Sequence, residues 1–211
     1  PSAILHEEPR VLIGGERCEK PYSASLYNVS AMSFGSLSKN AVMALNKGAK
    51  LGNFYQNTGE GGVAPYHLMG GDLSWQIGTG YFGCRTPDGK FSRELFQKNA
   101  QREEVKMIEV KLSQGAKPGH GGVLPGKKNT PEIAKIRGVQ AGETILSPPG
   151  HSAFDGPEGL IQFITELREL SGGKPVGFKL CVGRPEEFEA ICLAMKKLDQ
   201  YPDFIAVDGA E

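Results

Sequence analysis

The chain has 211 residues with 24 Lys and Arg against 24 Asp and Glu, so its formal net charge is zero and it shows no electrostatic footprint for nucleic acid. A hydrophobic fraction of 39% with 23% charged residues excludes a disordered chain, and the length suits one substantial domain or part of a larger one. Apolar runs stay far below the roughly 18–20 residues that span a bilayer, and the opening PSAILHEEPR has no signal-peptide pattern, so the expectation is a soluble, cytoplasmic protein.

Residues 1–24 read as an N-terminal extension, and the remaining 25–211 as one domain of alternating strands and helices. Ser25 to Met32 is a strand, and Ser36-Leu-Ser38 offers an N-cap before the helical pattern KNAVMALNKGAKLG. Phe54 to Asn57 is a second short strand, and Trp75 to Gly83 a third that ends before the turn Pro87-Asp88-Gly89. A polar helix follows from Phe91 to Val105, then an alternating strand from Met107 to Gln114. A long Gly/Pro-rich loop leads to a helix at Thr130-Pro131, where Thr suits the N-cap and Pro the first helical position. Ile145-Leu146 precedes another such loop; Glu158 to Leu170 is helical, Val176 to Val182 strand-like, Pro185 to Leu198 helical, and Asp203 to Asp208 a last strand.

Such alternation implies a parallel sheet with helical crossovers, because parallel neighbours cannot be joined by tight hairpins. Polar, Gly-rich sequence recurs just after several strands, at Ser33, Thr58, Gly78, Gln114 and Asp208, which favours an α/β barrel of the (β/α)8 TIM type that gathers its strand ends at one face. About six of the eight βα units are legible, and the chain stops just past a strand. On that count the barrel domain is C-terminally incomplete, with open sheet edges prone to self-association.

Gly78-Thr-Gly80-Tyr-Phe-Gly83 matches G-x-G-x-x-G, but the turn Arg85 to Gly89 stands where a dinucleotide site needs a helix N-terminus, so tight backbone packing is the better reading. Gly121 to Lys128 approaches the phosphate loop G-x-x-x-x-G-K-[ST] but ends on Lys128, which has no hydroxyl for magnesium. Its cations remain of interest. Lys111, Lys117, Lys127, Lys128 and Arg137 cluster in this segment and suit an anionic ligand; for Lys127 and Lys128 a solvated basic loop is the simpler reading, whereas Lys111 inside an apolar alternation demands a partner. Lys179 is the one charge in its strand and needs either a counter-ion or a polar ligand, and Asp208 is comparable at its strand end. His120 and His151 lie in Gly/Pro loops, open to solvent or to substrate, while His6 reads as exposed. Cys18, Cys84, Cys181 and Cys192 form no C-x-x-C, and no His stands at zinc spacing, so free thiols and no metal site are expected.

Ala31-Met-Ser-Phe-Gly-Ser-Leu-Ser38, Asn57-Thr-Gly-Glu-Gly-Gly62, Gln76-Ile-Gly-Thr-Gly80 and Lys111-Leu-Ser-Gln-Gly-Ala-Lys-Pro-Gly-His-Gly-Gly-Val-Leu-Pro-Gly126 together resemble the FMN-binding synthase domain of the glutamate synthases. The likeness continues through Arg137, Ser147-Pro148-Pro149 with His151, Lys179-Leu180 and Asp208-Gly209, and is greatest to the shorter glutamate synthase-like proteins without an amidotransferase domain. It implies a barrel with FMN at its C-terminal mouth, reduced by an electron-donor protein or NAD(P)H-linked subunit. The hydride then passes to the imine of 2-oxoglutarate and ammonia, giving glutamate. By that resemblance Met32, Ser33, Gln76, Thr79, Lys111, Lys179 and Asp208 bind the cofactor, and Lys111, Lys117 and Arg137 are the catalytic and substrate-binding set. A cation beside the flavin stabilises its anionic reduced form, and Arg suits a carboxylate as a bidentate fork.

The sequence also departs from the family. Val63 stands where the glutamate synthases have Glu, Val123 where they have Gln, and His120 where they have Glu. The resemblance therefore supports the flavin site more firmly than the 2-oxoglutarate site, and a related flavoenzyme with another small acid, or a non-catalytic flavin-binding or scaffold module, stays open beside the synthase reading. The cysteines of the family's [3Fe–4S] cluster have no counterpart among the present four. With strands seven and eight supplying the phosphate site in barrels of this kind, the 211-residue chain alone is expected to be inactive and to bind FMN weakly or not at all.

Overall fold

A computed structural model describes residues 8–117 and 119–209; His6 lies outside them. In chain order the elements are β1 (Arg10–Ile13), β2 (Tyr22–Ser25), α1 (Lys39–Leu51), β3 (Gln56–Asn57), β4 (Leu73–Ile77), α2 (Arg93–Ala100), β5 (Val105–Lys111), β6 (Val123–Leu124), α3 (Pro131–Arg137), β7 (Ile145–Leu146), α4 (Gly156–Leu170), β8 (Val176–Leu180), α5 (Pro185–Leu198) and β9 (Ile205–Val207), with 3-10 turns at Pro65–His67 and Gly126–Lys128.

The strands β3, β4, β5, β8 and β9 pair in that order as a five-stranded parallel sheet, and Val29 adds a single parallel bridge to Gln56 at its β3 edge. A doubly wound sheet reverses its order at a switch point; here spatial order follows chain order throughout, as in a barrel wall. The sheet curls into a half-barrel, compatible with part of a (β/α)8 barrel. Its two faces follow from strand periodicity. Trp75 and Ile77 of β4, Ile108 and Val110 of β5 and Phe178 of β8 are all buried in one core with apolar residues of α2, α4 and α5, including Phe96, Ile164 and Ile191. The alternate residues Gln76, Glu109, Lys111 and Lys179 therefore point the other way, into the concave face. The β1–β2 hairpin packs Tyr22 and Ala24 against Met107 in a separate small core.

Helix limits follow their caps. Ser38 Oγ accepts from Ala41 N–H at the start of α1 and Thr130 Oγ1 from Ile133 N–H at the start of α3, whose end at Gly138 is left-handed (φ 69°).

Two sequence expectations need correction. The strand expected over Ser25 to Met32 is reduced to Ser25, the last residue of β2, and the bridge at Val29, because side chains compete for the backbone between them: Asn28 Nδ2 donates to Ser25 O (2.8 Å) and Tyr27 N–H to Ser25 Oγ (3.2 Å). The third strand ends at Ile77 rather than Gly83, since Tyr81 turns left-handed (φ 50°) and its N–H bonds back to Gly78 O (3.0 Å). Ile145-Leu146 pairs antiparallel with β6 outside the main sheet; Asn129 Nδ2, donating to Gln140 O (2.7 Å) and Glu143 O (2.9 Å), folds this segment back on itself.

Candidate functional site

A cavity of about 370 Å³ opens at the C-terminal ends of the parallel strands, within the ~300–1,000 Å³ usual for small-molecule sites. The strand ends supply Gln76, Lys111 and Lys179, the loops after Val29 and β3 supply Ser33 and Glu60, and the long excursion between β5 and α4 supplies Lys117, Val123, Lys128, Arg137 and Ile145.

Below it the concave face carries a buried polar layer. Glu109 Oε1 accepts from both Gln76 Nε2 (2.7 Å) and Asn57 Nδ2 (2.9 Å). Burial pushes the Glu109 carboxyl above the usual carboxylate range, and those two amides with the Lys179 and Lys111 charges offset only part of the rise. Above this layer each strand-borne lysine has an acid. Lys111 Nζ donates to Gln114 Oε1 (2.6 Å) and Glu60 Oε1 (3.2 Å), and Lys179 Nζ lies 3.0 Å from Asp208 Oδ1. Asp208 also accepts from Gly115 N–H at 2.9 Å. Burial would raise its carboxyl, but that N–H and the Lys179 ammonium outweigh burial and hold it below its ordinary value.

The loop after β4 organises two further walls. At Gly78 a Cβ would lie 2.4 Å from Glu60 Oε2, so only glycine admits the Lys111 counter-ion there. Thr79 Oγ1 donates to Pro148 O (2.6 Å). His151 places Nε2 2.8 Å from Lys111 O and Nδ1 3.0 Å from the Tyr81 hydroxyl. A carbonyl can only accept, so Nε2 carries the proton, Tyr81 O–H donates to Nδ1, and Ala153 N–H donates to the Tyr81 oxygen (3.0 Å). Burial lowers the His151 pKa, consistent with this neutral ring.

Arg137 is buried beneath the loop after Val29. Its Nη2 donates to Phe34 O (3.3 Å) and Ser33 Oγ (3.4 Å), while Nε is buried with no hydrogen-bond partner. Lys117, Lys128 and Arg137 line the cavity without an acidic side chain in ion-pair contact among the described residues, so its excursion side is net cationic.

With this geometry in place, a family model described as the conserved region in glutamate synthase matches residues 4–211. The chain belongs to the glutamate synthase family. It is 46% identical over 211 residues to the glutamate synthase large subunit-like protein YerD of Bacillus subtilis, covering 99% of this chain and 40% of that protein. It is 32% identical over 188 residues to the archaeal glutamate synthase [NADPH] of Methanocaldococcus jannaschii (86% and 32%). To the glutamate synthase [NADPH] large chain of Bacillus subtilis it is 35% identical over 161 residues (73% and 10%). The chain thus spans well under half of each of these relatives.

Of the residues singled out from this glutamate synthase-family sequence, the structure gathers Ser33, Gln76, Lys111, Lys117, Arg137 and Lys179 around one cavity. Asp208 stands behind as the Lys179 counter-ion. Thr79 instead contributes to a smaller neighbouring hollow with His120, its hydroxyl given to Pro148. Met32 lies beside this wall without lining it. Lys128, read as solvated, is exposed yet borders the cavity, and His151 is a packed loop anchor rather than a free side chain. Sequence reasoning passed over Glu60, Gln114 and Glu109. Glu109 did leave a signal, a lone acid within the apolar run MIEVK, of the same kind that drew attention to Lys179. No helix among the described residues is long and apolar enough to cross a membrane.

Proposed function

We propose that this protein is an FMN-dependent oxidoreductase of glutamate synthase type, reducing the imine of 2-oxoglutarate and ammonia to glutamate with electrons from a donor protein or NAD(P)H-linked subunit. The observation that carries the reading is the division of charge around one cavity. Two strand-end lysines, each with its own acid, face three cations from the excursion that have none. The donor set fits a flavin: amide, hydroxyl and ammonium groups from Gln76, Gln114, Ser33, Lys111 and Lys179 surround a space of small-molecule size, suited to a ring bearing carbonyl acceptors. FMN, when bound, supplies the hydride chemistry.

The chain's own residues do the rest. Lys111 and Lys179 stabilise negative charge on a reduced ring through ammonium groups already fixed by Glu60 and Asp208, so little reorganisation accompanies the charge change. Gln76 gives one amide hydrogen to Glu109 and borders the cavity. Lys117 and Arg137 bind the substrate carboxylates, Arg137 with a guanidinium whose buried Nε has a hydrogen bond still to make. Met32 and Thr79 stand outside the lining of this cavity, so a cofactor role for them rests on the family resemblance alone.

A second reading, a flavoenzyme for a different small acid, has one observation in its favour: Val123, Leu124 and Ile145 give the excursion side of the cavity an apolar wall. The test uses the full-length protein with its flavin reduced under anaerobic conditions. Addition of 2-oxoglutarate with ammonium salt should restore the oxidised absorbance band and yield glutamate. Reoxidation only by another 2-oxo acid supports the second reading, and reoxidation by none refutes both.

A further inference from the structure

The G-x-G-x-x-G segment is not a dinucleotide turn: among the described residues no helix begins between Gly83 and Arg93, ten residues further on. The second of its two aromatic residues has another role. Phe82 is buried, and two guanidiniums lie over its ring, Arg137 Cζ at 4.9 Å from the centroid and Arg85 Cζ at 5.5 Å. The ring occupies the space that the missing Cβ of Gly80 leaves, where a methyl would stand 2.6 Å from it. Away from Phe82, glycine backbone borders the Arg137 guanidinium: a Cβ at Gly61 would lie 2.9 Å from Nη2 and 3.3 Å from Cζ, and one at Gly35 3.2 Å from Nη2. Arg137 therefore lies in a slot with an aromatic wall and side-chain-free glycine walls. The two Nη2 hydrogen bonds are long, at 3.3 and 3.4 Å, and Nε makes none, so those contacts alone do not fix the plane of the group.

We infer that Phe82 is a positioning residue: its ring face, against the glycine backbone of residues 35 and 61, sets the orientation in which Arg137 meets a carboxylate of the ligand. The inference rests on the reading of the cavity as a carboxylate-binding site. It follows from chemistry that a desolvated guanidinium over an aromatic face is held by the ring quadrupole. A planar fork misaligned with a carboxylate loses its bidentate geometry while keeping its charge.

The experiment compares wild type, Phe82→Leu, Phe82→Trp and Gly61→Ala in the full-length protein, with 2-oxoglutarate as the probe in calorimetric titration. Arg137→Lys serves as the control on the site itself. The rate at which phenylglyoxal modifies Arg137, followed by peptide mass spectrometry without ligand, reports its packing independently. Phe82→Leu should weaken 2-oxoglutarate binding roughly tenfold and speed Arg137 modification by a similar factor, while leaving flavin content unchanged. Phe82→Trp, which restores an aromatic face, should recover both. Gly61→Ala should weaken binding without touching Phe82, because its new methyl would stand 2.9 Å from Arg137 Nη2 and 3.0 Å from Ser33 Cβ, and the flexible guanidinium end gives way more readily than Ser33. A Phe82→Leu protein with wild-type modification rate overturns the inference, as does a Phe82→Trp protein indistinguishable from Phe82→Leu, which would mark a packing role alone. If wild type binds no 2-oxoglutarate, or Arg137→Lys binds it normally, the carboxylate reading fails. The modification rates then decide by themselves whether Phe82 holds Arg137.

Discussion

Lowering the pH should unfold this protein partly through one histidine. His67 ends the 3-10 turn between β3 and β4 and is completely buried. Its Nδ1 accepts from Ala64 N–H at 3.0 Å, so the neutral ring has its proton on Nε2, buried without a hydrogen-bond partner. A second proton would have to sit on Nδ1, against the Ala64 donor. Burial accordingly draws the pKa from 6.5 down to about 4, against weaker pulls from the Ala64, Met32 and Thr58 backbone. Because the folded value lies below the unfolded one, the unfolded chain binds more protons between them. The contribution is present in full above 6.5 and is lost as pH falls through the folded value near 4. At about 1.4 kcal/mol per pH unit of separation, the loss approaches ~3 kcal/mol when complete and is about 2 kcal/mol by pH 5. The variant that isolates it is His67→Asn, whose Oδ1 replaces the Nδ1 acceptor and does not titrate. Urea unfolding at pH 7 and pH 5 should show wild type losing about 2 kcal/mol more than the variant over that interval, carboxylate contributions being common to both. Equal losses in the two proteins would refute the argument.

Three other outcomes follow. Arg168→Met, which leaves Asp203 buried without the Arg168 Nε that now sits 3.0 Å away, should cost about 3–5 kcal/mol in denaturant melts; a cost under ~1 kcal/mol would show that the Val176 N–H alone satisfies that carboxylate. Tyr81→Phe removes both the donor to His151 and the acceptor for Ala153 N–H, so limited proteolysis should cut within 147–153 several times faster, with the rest of the protection pattern unchanged. Lys174 is buried and donates to Ala100 O (2.6 Å) and Arg102 O (2.8 Å), yet burial, Lys20 and Lys106 draw its pKa from 10.5 to about 8. Stability should therefore rise with pH between about 8 and 10.5 in wild type, and this slope should flatten in Lys174→Met.

How far the sequence could be read depended on the range of the interaction involved. α5 (Pro185–Leu198) and the cap of α3 at Thr130 were legible because Pro at the first helical position and a capping hydroxyl act within a few residues. The parallel order of β3, β4, β5, β8 and β9 was legible as an alternation, since crossover helices impose it. What escaped depends on contacts across the chain. Asn129 draws Ile145-Leu146 onto β6, and no local pattern in residues 140–146 announces it. Lys179 stood out as needing a partner, and the structure pairs it with Asp208, an ion pair that leaves a ligand role open beside it. Glu60 became visible only when the fold set it next to Lys111, 51 residues away.

The same contrast separates the two sides of the cavity. Lys111 and Lys179 are adjacent in the β5–β8 register and project from the rigid sheet, where Glu60 and Asp208 neutralise them and the raised Glu109 carboxyl lies one layer below. Charges fixed in this way favour a group whose own charge changes in place, since neither ammonium must move to meet it. Lys117, Lys128 and Arg137 come instead from the excursion between β5 and α4, whose contacts with the sheet end run through a few anchors such as His151 on Lys111 O and Thr79 on Pro148 O. Substitutions at Val123, Leu124 or Ile145 therefore change what those cations and the apolar wall can hold without removing the strand-end pairs, which meet the excursion through Gln114 and the Gly115 N–H. On the proposed function the strand ends would hold the flavin and the excursion would select the acid, so exchanging Val123 for a polar residue should alter acid selectivity while the flavin spectrum stays the same.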